Sequence, residues 1–297
     1  MRKSIAIIIT SILVLSGCNK QQSVSDRLLN EVEKAIAINP DSASNLLKSI
    51  SSPEKLDDKA FARWCMLSGK ITDEIFNSIL PTYQLERAYD WYSSHGSPDE
   101  QVQILIYLGR SYFADGDYDK AMSIYTNALD IAGKNKLNNL IGYTYDYIGD
   151  LYREKFMRTE AIKRYEIAAE YFKKEKNTDS YACALRDIGR EYAQMDSLSH
   201  ALNILIIADS VAANTSNINV TASINNALGN IYSMQNKYDK AEEYLLKALL
   251  TGREKMPDYV ALIDLYTASN SINKAKELLS KIPQDTPQYT CLSLIHI

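Results

Sequence analysis

Few side chains in this 297-residue chain stand where they could carry chemistry. The three histidines, His95, His200 and His296, share no metal-ligand spacing with cysteine or carboxylate. The sequence contains no zinc-ligand set, phosphate-cradling glycine loop or nucleophile elbow. Among 37 acidic residues no two are singled out as a catalytic couple. The expectation is a protein that is not an enzyme and that needs neither metal nor cofactor. One thiol does have a chemical context. Cys18 follows Arg2 and Lys3, an apolar run from Ile5 to Leu15, and the small residues Ser16 and Gly17. That run falls short of the about 20 residues that span a bilayer, and its basic flank and small-residue exit mark a cleaved export signal.

Leu15-Ser16-Gly17-Cys18 resembles a bacterial lipobox. The resemblance implies cleavage before Cys18, a diacylglycerol on its thiol and an acyl chain on its new amine. Several acyl chains, each buried methylene contributing about 0.8 kcal/mol, hold a protein on a membrane without spanning it. Removing Arg2 and Lys3 with the signal leaves 31 basic residues against 37 acidic ones. No basic block stands out in that remainder, which argues against a nucleic-acid partner. With 46% hydrophobic residues and only 11 glycines and 7 prolines, the remainder has a globular composition.

The elements that position any functional side chain come from a repeat. An apolar residue, glycine, tyrosine three on, alanine nine further and alanine seven beyond recur four times at a spacing of 40 residues. They read Leu108, Gly109, Tyr112, Ala121, Ala128; Ile148, Gly149, Tyr152, Ala161, Ala168; Ile188, Gly189, Tyr192, Ala201, Ala208; and Leu228, Gly229, Tyr232, Ala241, Ala248. A fixed period of this length denotes stacked supersecondary units, each burying its apolar face only against a neighbour. Within a unit the apolar residues fall at helical spacing, and Asp115-Gly116-Asp117 is a turn between two such runs. Each unit is therefore predicted to be a helical hairpin. The four glycines lie mid-helix, where glycine costs about 1 kcal/mol against alanine, so close approach of the paired helix must be the reason. The four tyrosines read as packing residues. Cys65 and Cys183 lie too far apart in a stack of near-neighbour contacts to form a disulfide, and read as small hydrophobes.

This pattern resembles the tetratricopeptide repeat family, whose usual period is 34 residues. The resemblance covers residues 102–282 as five repeats; in the fifth, Leu262, Tyr266, Ala275 and Leu279 keep the spacing, Ile263 replaces the glycine, and the period falls to 34. It implies an all-α, right-handed superhelical solenoid of antiparallel helix hairpins that binds a protein or peptide partner. The six extra residues of the earlier units are expected to lengthen their helices. Family members line their concave groove with the first helix of each hairpin. Carried over residue by residue, the groove positions are Ile106, Arg110 and Phe113; Asp146, Asp150 and Arg153; Arg186, Arg190 and Gln194; and Asn226, Asn230 and Ser233. Arg110, Asp150, Arg190, Asn230 and Asp264 are equivalent, so charge alternates along the floor. Two readings stand. In one, Asp146 pairs with Arg186 and Asp150 with Arg190 between neighbouring repeats, each worth under about 1 kcal/mol. In the other, a peptide backbone is held by Asn226 and Asn230 and its acidic groups by Arg186 and Arg190. The lysine of the family's clamp for a terminal carboxylate has no counterpart on these first helices, which disfavours a chaperone-tail receptor.

The rest of the chain divides around this core. Residues 1–17 are the lipoprotein signal peptide and 18–24 a short polar tether. Residues 25–101 form divergent helical repeats, with helices on Leu28, Leu29, Val32 and Ile36, on Ala43 to Ile50 capped at Pro40-Asp41, on Phe61 to Ile71, and on Tyr83 to Tyr92. Residues 283–297 read as an incomplete repeat or a sequencing artefact. Pro287, Tyr289 and Leu292 repeat the spacing of Pro257, Tyr259 and Leu262, while the last six residues resemble translated transposon adapter. A solenoid ending inside an apolar first helix leaves its last interface bare, so the reading frame is expected to be truncated.

Two functions follow as expectations. One is a scaffold in the bacterial envelope, attached through lipid on Cys18. Asn19, in place of the aspartate that retains enterobacterial lipoproteins in the inner membrane, favours the periplasmic side of the outer membrane. The other is the periplasmic sensory half of a larger transmembrane regulator whose membrane helix, coiled coil and helix-turn-helix are missing. The lipobox, Asn39-Pro40-Asp41-Ser42-Ala43 and the long-period repeats resemble a group of proteins common in Bacteroidota.

Overall fold

Helices account for nearly all of the secondary structure in a computed structural model that describes residues 25–75, 79–253 and 255–283. The residues expected to form the signal peptide (1–17), the tether with Cys18 (18–24) and, apart from Pro283, the incomplete repeat (283–297) lie outside the described residues. Fourteen helices occupy the described residues: α1 (25–36), α2 (Pro40–Lys48), α3 (Asp58–Ile75), α4 (Thr82–His95), α5 (Pro98–Ala114), α6 (Tyr118–Asn135) and α7 (Asn138–Glu154), then α8 (Arg158–Lys174), α9 (Thr178–Gln194), α10 (Leu198–Ala212), α11 (Ile218–Met234), α12 (Tyr238–Thr251), α13 (Met256–Ala268) and α14 (Ile272–Leu279). A single 3-10 turn, Pro53–Lys55, links α2 to α3. Consecutive helices pair as hairpins, in agreement with the expected all-α architecture. The chain forms two compact units, one through Leu140 and one from Ile141.

In the first unit, Leu29, Val32, Ala43, Leu47, Leu67 and Ile71 form one apolar cluster. Phe61, Cys65, Leu85, Tyr92, Ile104 and Leu108 form another. Each valine, leucine, isoleucine or phenylalanine among them, when fully buried, contributes about 1.5–3 kcal/mol. The cap of α2 differs from the sequence expectation. Asn39 is the capping residue, its side chain accepting from the Ser42 N–H at 3.0 Å, and Pro40 is the first helical residue. Proline suits that position because its missing N–H would have no partner there.

In the second unit, Ala161, Tyr165, Ile188, Ala201, Leu205, Ile224 and Leu228 pack in one core and Ala241, Leu245, Leu262, Ile263 and Ala275 in the next. The mid-helix glycines are explained by direct contact. A Cβ on Gly149 would lie 2.5 Å from the Tyr165 ring, and one on Gly229 2.6 Å from Leu245 Cγ. Gly109 meets Tyr125 and Gly189 meets Leu205 in the same way, always sixteen residues on. The first helices of the long-period repeats each have 17 residues, whereas α13 and α14 of the shorter unit have 13 and 8. The turn inside each hairpin passes through a left-handed residue: Gly116, Phe156, Asp196, Asn236 and Asn270. Glycine, asparagine and aspartate tolerate that conformation; Phe156, 80% exposed, is the exception.

Candidate functional site

Nine of the twelve groove residues carried over from the repeat pattern fall in the second unit, on α7, α9 and α11. Ile106, Arg110 and Phe113 fall in the first. There Arg110 of α5 pairs with Asp73 of α3, and its guanidinium lies 5.9 Å from the Tyr107 ring centre. The Tyr107 hydroxyl donates to Asp73 at 2.9 Å. Phe113 packs on Tyr118, ring centres 5.5 Å apart.

In the second unit the first helices gather an ionic network. Asp150 Oδ1 accepts from the Tyr165 hydroxyl at 2.7 Å and pairs with Arg153 at 2.8 Å. Arg186 grips Asp187 through two bonds of 3.0 and 2.6 Å, and also donates to Ser223 Oγ of α11 at 2.9 Å. Arg190 reaches Asp187 at 3.4 Å. Arg158, opening α8, pairs with Glu191 at 3.1 Å. The expected pairs Asp146 with Arg186 and Asp150 with Arg190 are thus replaced. Each arginine takes a carboxylate on its own helix or from α8 to α9, because Asp187 stands one residue from Arg186 and three from Arg190.

Asp187 and Glu191 were absent from the sequence reading. Their register nevertheless marks them: positions equivalent to Asp187 hold Tyr107, Tyr147 and Ala227, and those equivalent to Glu191 hold Ser111, Leu151 and Ile231. Two acids stand at inward positions of α9 and are buried there, Asp187 6% and Glu191 2% exposed. A buried carboxylate persists only when paired and hydrogen bonded, which is the work of Arg186 and Arg158.

The fields around these groups differ. Burial, then the neighbouring Asp150 and Asp187, push the Asp146 carboxyl well above its ordinary range. Its Oδ1 is closed to solvent and accepts no hydrogen bond. Burial also raises Asp150, against the pull of Arg153. Burial opposes ionisation of Asp187, but Arg186, Arg190 and Arg153 outweigh it and hold its carboxyl below the usual value. Burial and the repulsion of Arg186 bring Arg190 down to about 10, so it remains cationic near neutrality.

The α11 residues divide in role. Asn226 is buried, donates to Asp258 at 2.7 Å and accepts from the Asn230 amide at 3.0 Å. It orients Asn230 and does not present its own amide to a peptide, contrary to the sequence expectation. Asn230 is exposed. Arg186, with 17% of its side chain exposed and both arms of its guanidinium engaged, is likewise a fixed counterion and not an open ligand group. The open groups are Arg190, 43% exposed, Arg153, 36% exposed, and Asn230.

The tyrosines that recur in the repeat pack as expected, with a basic or histidine side chain from the following helix over each ring: Lys120 at Tyr112, Arg164 at Tyr152, His200 at Tyr192, and Lys240 at Tyr232. Cys65 is buried and Cys183 half-buried, both as free thiols. Among the described residues no group of three His, Cys, Asp or Glu is gathered to hold a metal ion, and no helix is long and apolar enough to cross a membrane.

Comparison with known proteins gives the same architecture. The tetratricopeptide repeat family matches residues 105–138 and 221–256. Photosystem I assembly protein Ycf3 of Rippkaea orientalis is 32% identical over 91 residues, 30% of this chain, and the match spans about half, 52%, of that protein's length. Among solved structures, a Rap protein complexed with Competence and Sporulation Factor has a TM-score of 0.65 at 14% identity, covering 92% of this chain and 81% of that one. NprR in complex with its cognate peptide NprX has 0.59 at 15%, covering 91% and 82%. The apo form of the quorum sensor NprR from B. thuringiensis has 0.60 at 14%, covering 92% and 81%. At these identities the likeness is one of fold. The chain has the fold of a tetratricopeptide-like helical-repeat solenoid.

Proposed function

We propose that this chain is a lipid-anchored repeat scaffold of the bacterial envelope whose first-helix face takes an extended segment of a protein or peptide partner. The observation that carries the proposal is the row of open polar groups, Arg153, Arg190 and Asn230, on α7, α9 and α11, each bonded to a neighbour on its own helix, Asp150, Asp187 and Asn226 respectively. A polar face whose groups are oriented by such partners suits hydrogen bonding to an extended backbone. Support also comes from similarly folded proteins whose structures were solved in complex with Competence and Sporulation Factor or with a cognate peptide. Attachment rests on the lipobox-like Leu15-Ser16-Gly17-Cys18.

The test is site-specific photocrosslinking in the source cells. A photoreactive residue in place of Asn230 should give an adduct with an envelope protein or peptide, and one at Ile206 on the second helix α10 should not. Adducts confined to Ile206 would overturn the choice of face. Incorporation of labelled fatty acid, lost in Cys18→Ala, tests the anchor, and fractionation of the labelled protein tests the outer-membrane assignment.

The second reading, the sensory half of a transmembrane regulator, is favoured by the likeness across 92% of the chain to a protein described as a quorum sensor. Genomic sequence beyond the codon for Cys291 separates the two readings. A spanning helix followed by signalling domains supports the regulator, and a polar capping helix with a stop supports the scaffold.

A further inference from the structure

Four equivalent positions run across neighbouring first helices of the second unit: Asp150 on α7, Arg190 on α9, Asn230 on α11 and Asp264 on α13. Side chains join α9 to α11 through Arg186 and Ser223, and α11 to α13 through Asn226 and Asp258. Tyr143 of α7 accepts from Ser180 of α9 at 3.0 Å. The four helices are therefore direct neighbours in order. Asp150 retains 25% side-chain exposure, Arg190 43%, and Asn230 and Asp264 are exposed. Charge across the row reads negative, positive, neutral, negative, with Asp150 sharing its charge with Arg153 at 2.8 Å and Arg190 with Asp187 at 3.4 Å.

Arg190 leaves most of its donors unused. Its one hydrogen bond among the described residues is the 3.4 Å contact to Asp187, which is already gripped by Arg186. A guanidinium carries five donors in a planar fork that matches a carboxylate. Asn230, one helix away, keeps amide capacity after its single bond to Asn226. Asp150 and Asp264 flank this pair with negative charge, which repels a polyanion and favours a ligand whose own charges alternate.

Spacing converts that order into a sequence register. Packed helices stand roughly 8–10 Å apart, and an extended chain rises about 3.3 Å per residue, so successive helices face ligand residues about three positions apart. We propose that the partner segment is an extended peptide with a basic residue, an acidic residue three positions on, an amide or hydroxyl residue three further, and a second basic residue three beyond that. This inference rests on the first-helix face being the binding face and goes beyond it by naming the charge order of what binds.

The probe is a labelled ten-residue peptide, Lys-Thr-Ser-Glu-Thr-Ser-Gln-Thr-Ser-Lys, and the same residues in reverse order, since either chain direction presents the pattern. The control is the charge-inverted peptide, Glu-Thr-Ser-Lys-Thr-Ser-Gln-Thr-Ser-Glu, with its reverse. Binding is read by fluorescence anisotropy at low salt. One of the registered peptides should bind at least about tenfold more tightly than either control. Arg190→Glu should shift the preference toward a peptide carrying lysine at the central acidic position. Asp264→Lys, at an exposed site that a thermal melt will show to be folded, should cost the registered peptide about fivefold and leave the control no weaker. Equal affinity for registered and inverted peptides, no binding of either, or a preference that ignores both substitutions overturns the register. The Asn230 photocrosslink then decides how far the failure extends: an adduct leaves the binding face standing without its charge order, whereas adducts only at Ile206 remove both.

Discussion

The hairpins α9–α10 and α11–α12 share a skeleton and differ in what it supports. Both pack a mid-helix glycine on a leucine sixteen residues later, Gly189 on Leu205 and Gly229 on Leu245. Both bury the two alanines of the second helix, Ala201 with Ala208 and Ala241 with Ala248. Yet where α11 places Ala227 and Ile231 at inward positions, α9 places Asp187 and Glu191. The first pair belongs to an apolar core; the second is held by Arg186 and Arg158. The skeleton is a steric requirement that repeats with the fold. The charge sits at positions the skeleton leaves open, and there one repeat can become ionic while its neighbour stays amide and apolar.

The comparison is broken most severely by stranding a buried charge. Arg186→Ala leaves Asp187 with only the 3.4 Å contact to Arg190, and a loss of about 3 kcal/mol or more is expected in urea denaturation. The equivalent change in the neighbouring repeat, Asn226→Ala, takes a neutral donor from the buried Asp258 and should cost about 1–2 kcal/mol. Similar losses in both would mean that α9 is no more ionic in energy than α11. Arg186 is accordingly a poor residue for testing ligand capture, since its removal damages the fold.

A second comparison asks whether the ions of α9 are needed for stability at all. Arg158→Ala alone should destabilise by about 2 kcal/mol, because Glu191 is buried. Glu191→Ile with Arg158→Met copies the apolar pattern of Ile231 and should be neutral or stabilising in the same denaturation assay. A stable double variant would show that the pair is kept for something other than folding.

The shared skeleton makes a smaller prediction. Gly189→Ala and Gly229→Ala each put a Cβ within 2.8 and 2.6 Å of a leucine Cγ. Overpacking costs about 1–3 kcal/mol and the helix gains about 1 from alanine, so a net loss near 1 kcal/mol is expected at both sites. Gly133, with open space around its Cβ position, should gain stability by up to about 1 kcal/mol when changed to alanine. Calorimetric midpoints of the three variants check the contrast.

The least effect is in pH dependence. A carboxyl raised in the folded state binds its proton more tightly there than in the unfolded chain. Its stabilising contribution is full below the ordinary carboxylate pKa and is lost as pH rises through the raised value. Asp146 and Asp150 act in this sense, and Asp187, held low by Arg186, in the opposite one. Asp146→Asn should therefore raise the melting temperature at about pH 7 relative to wild type, with the gain shrinking as the pH approaches about 4. A gain that grows on acidification would reverse the assignment.

How much of the site was legible follows from the range of each interaction. The 40-residue recurrence exposed Arg190 and Asn230 as equivalent positions, and the same register could have exposed Asp187 and Glu191 as acids at apolar places. Asp187 is masked in the linear pattern by its place between the face positions Arg186 and Arg190. The Tyr165 hydroxyl reaches Asp150 at 2.7 Å, and the linear pattern does not mark it, because a ring that fills the space at Gly149 says nothing of where its far end arrives.

What the sequence by itself determined is the hairpin, its period and its close packing. Helical spacing, small residues at contact positions and turn residues able to adopt positive φ act within a few turns of chain, so a linear pattern encodes them. The tertiary structure alone decided which arginine serves which carboxylate, leaving Arg186 sealed and Arg190 open, and turned Asn226 from a ligand group into a support for Asn230. Those outcomes depend on differences of an ångström or less between side chains of three helices. A charge pairs with whichever opposite charge its rotamer reaches first, and equivalence in the repeat does not fix that distance.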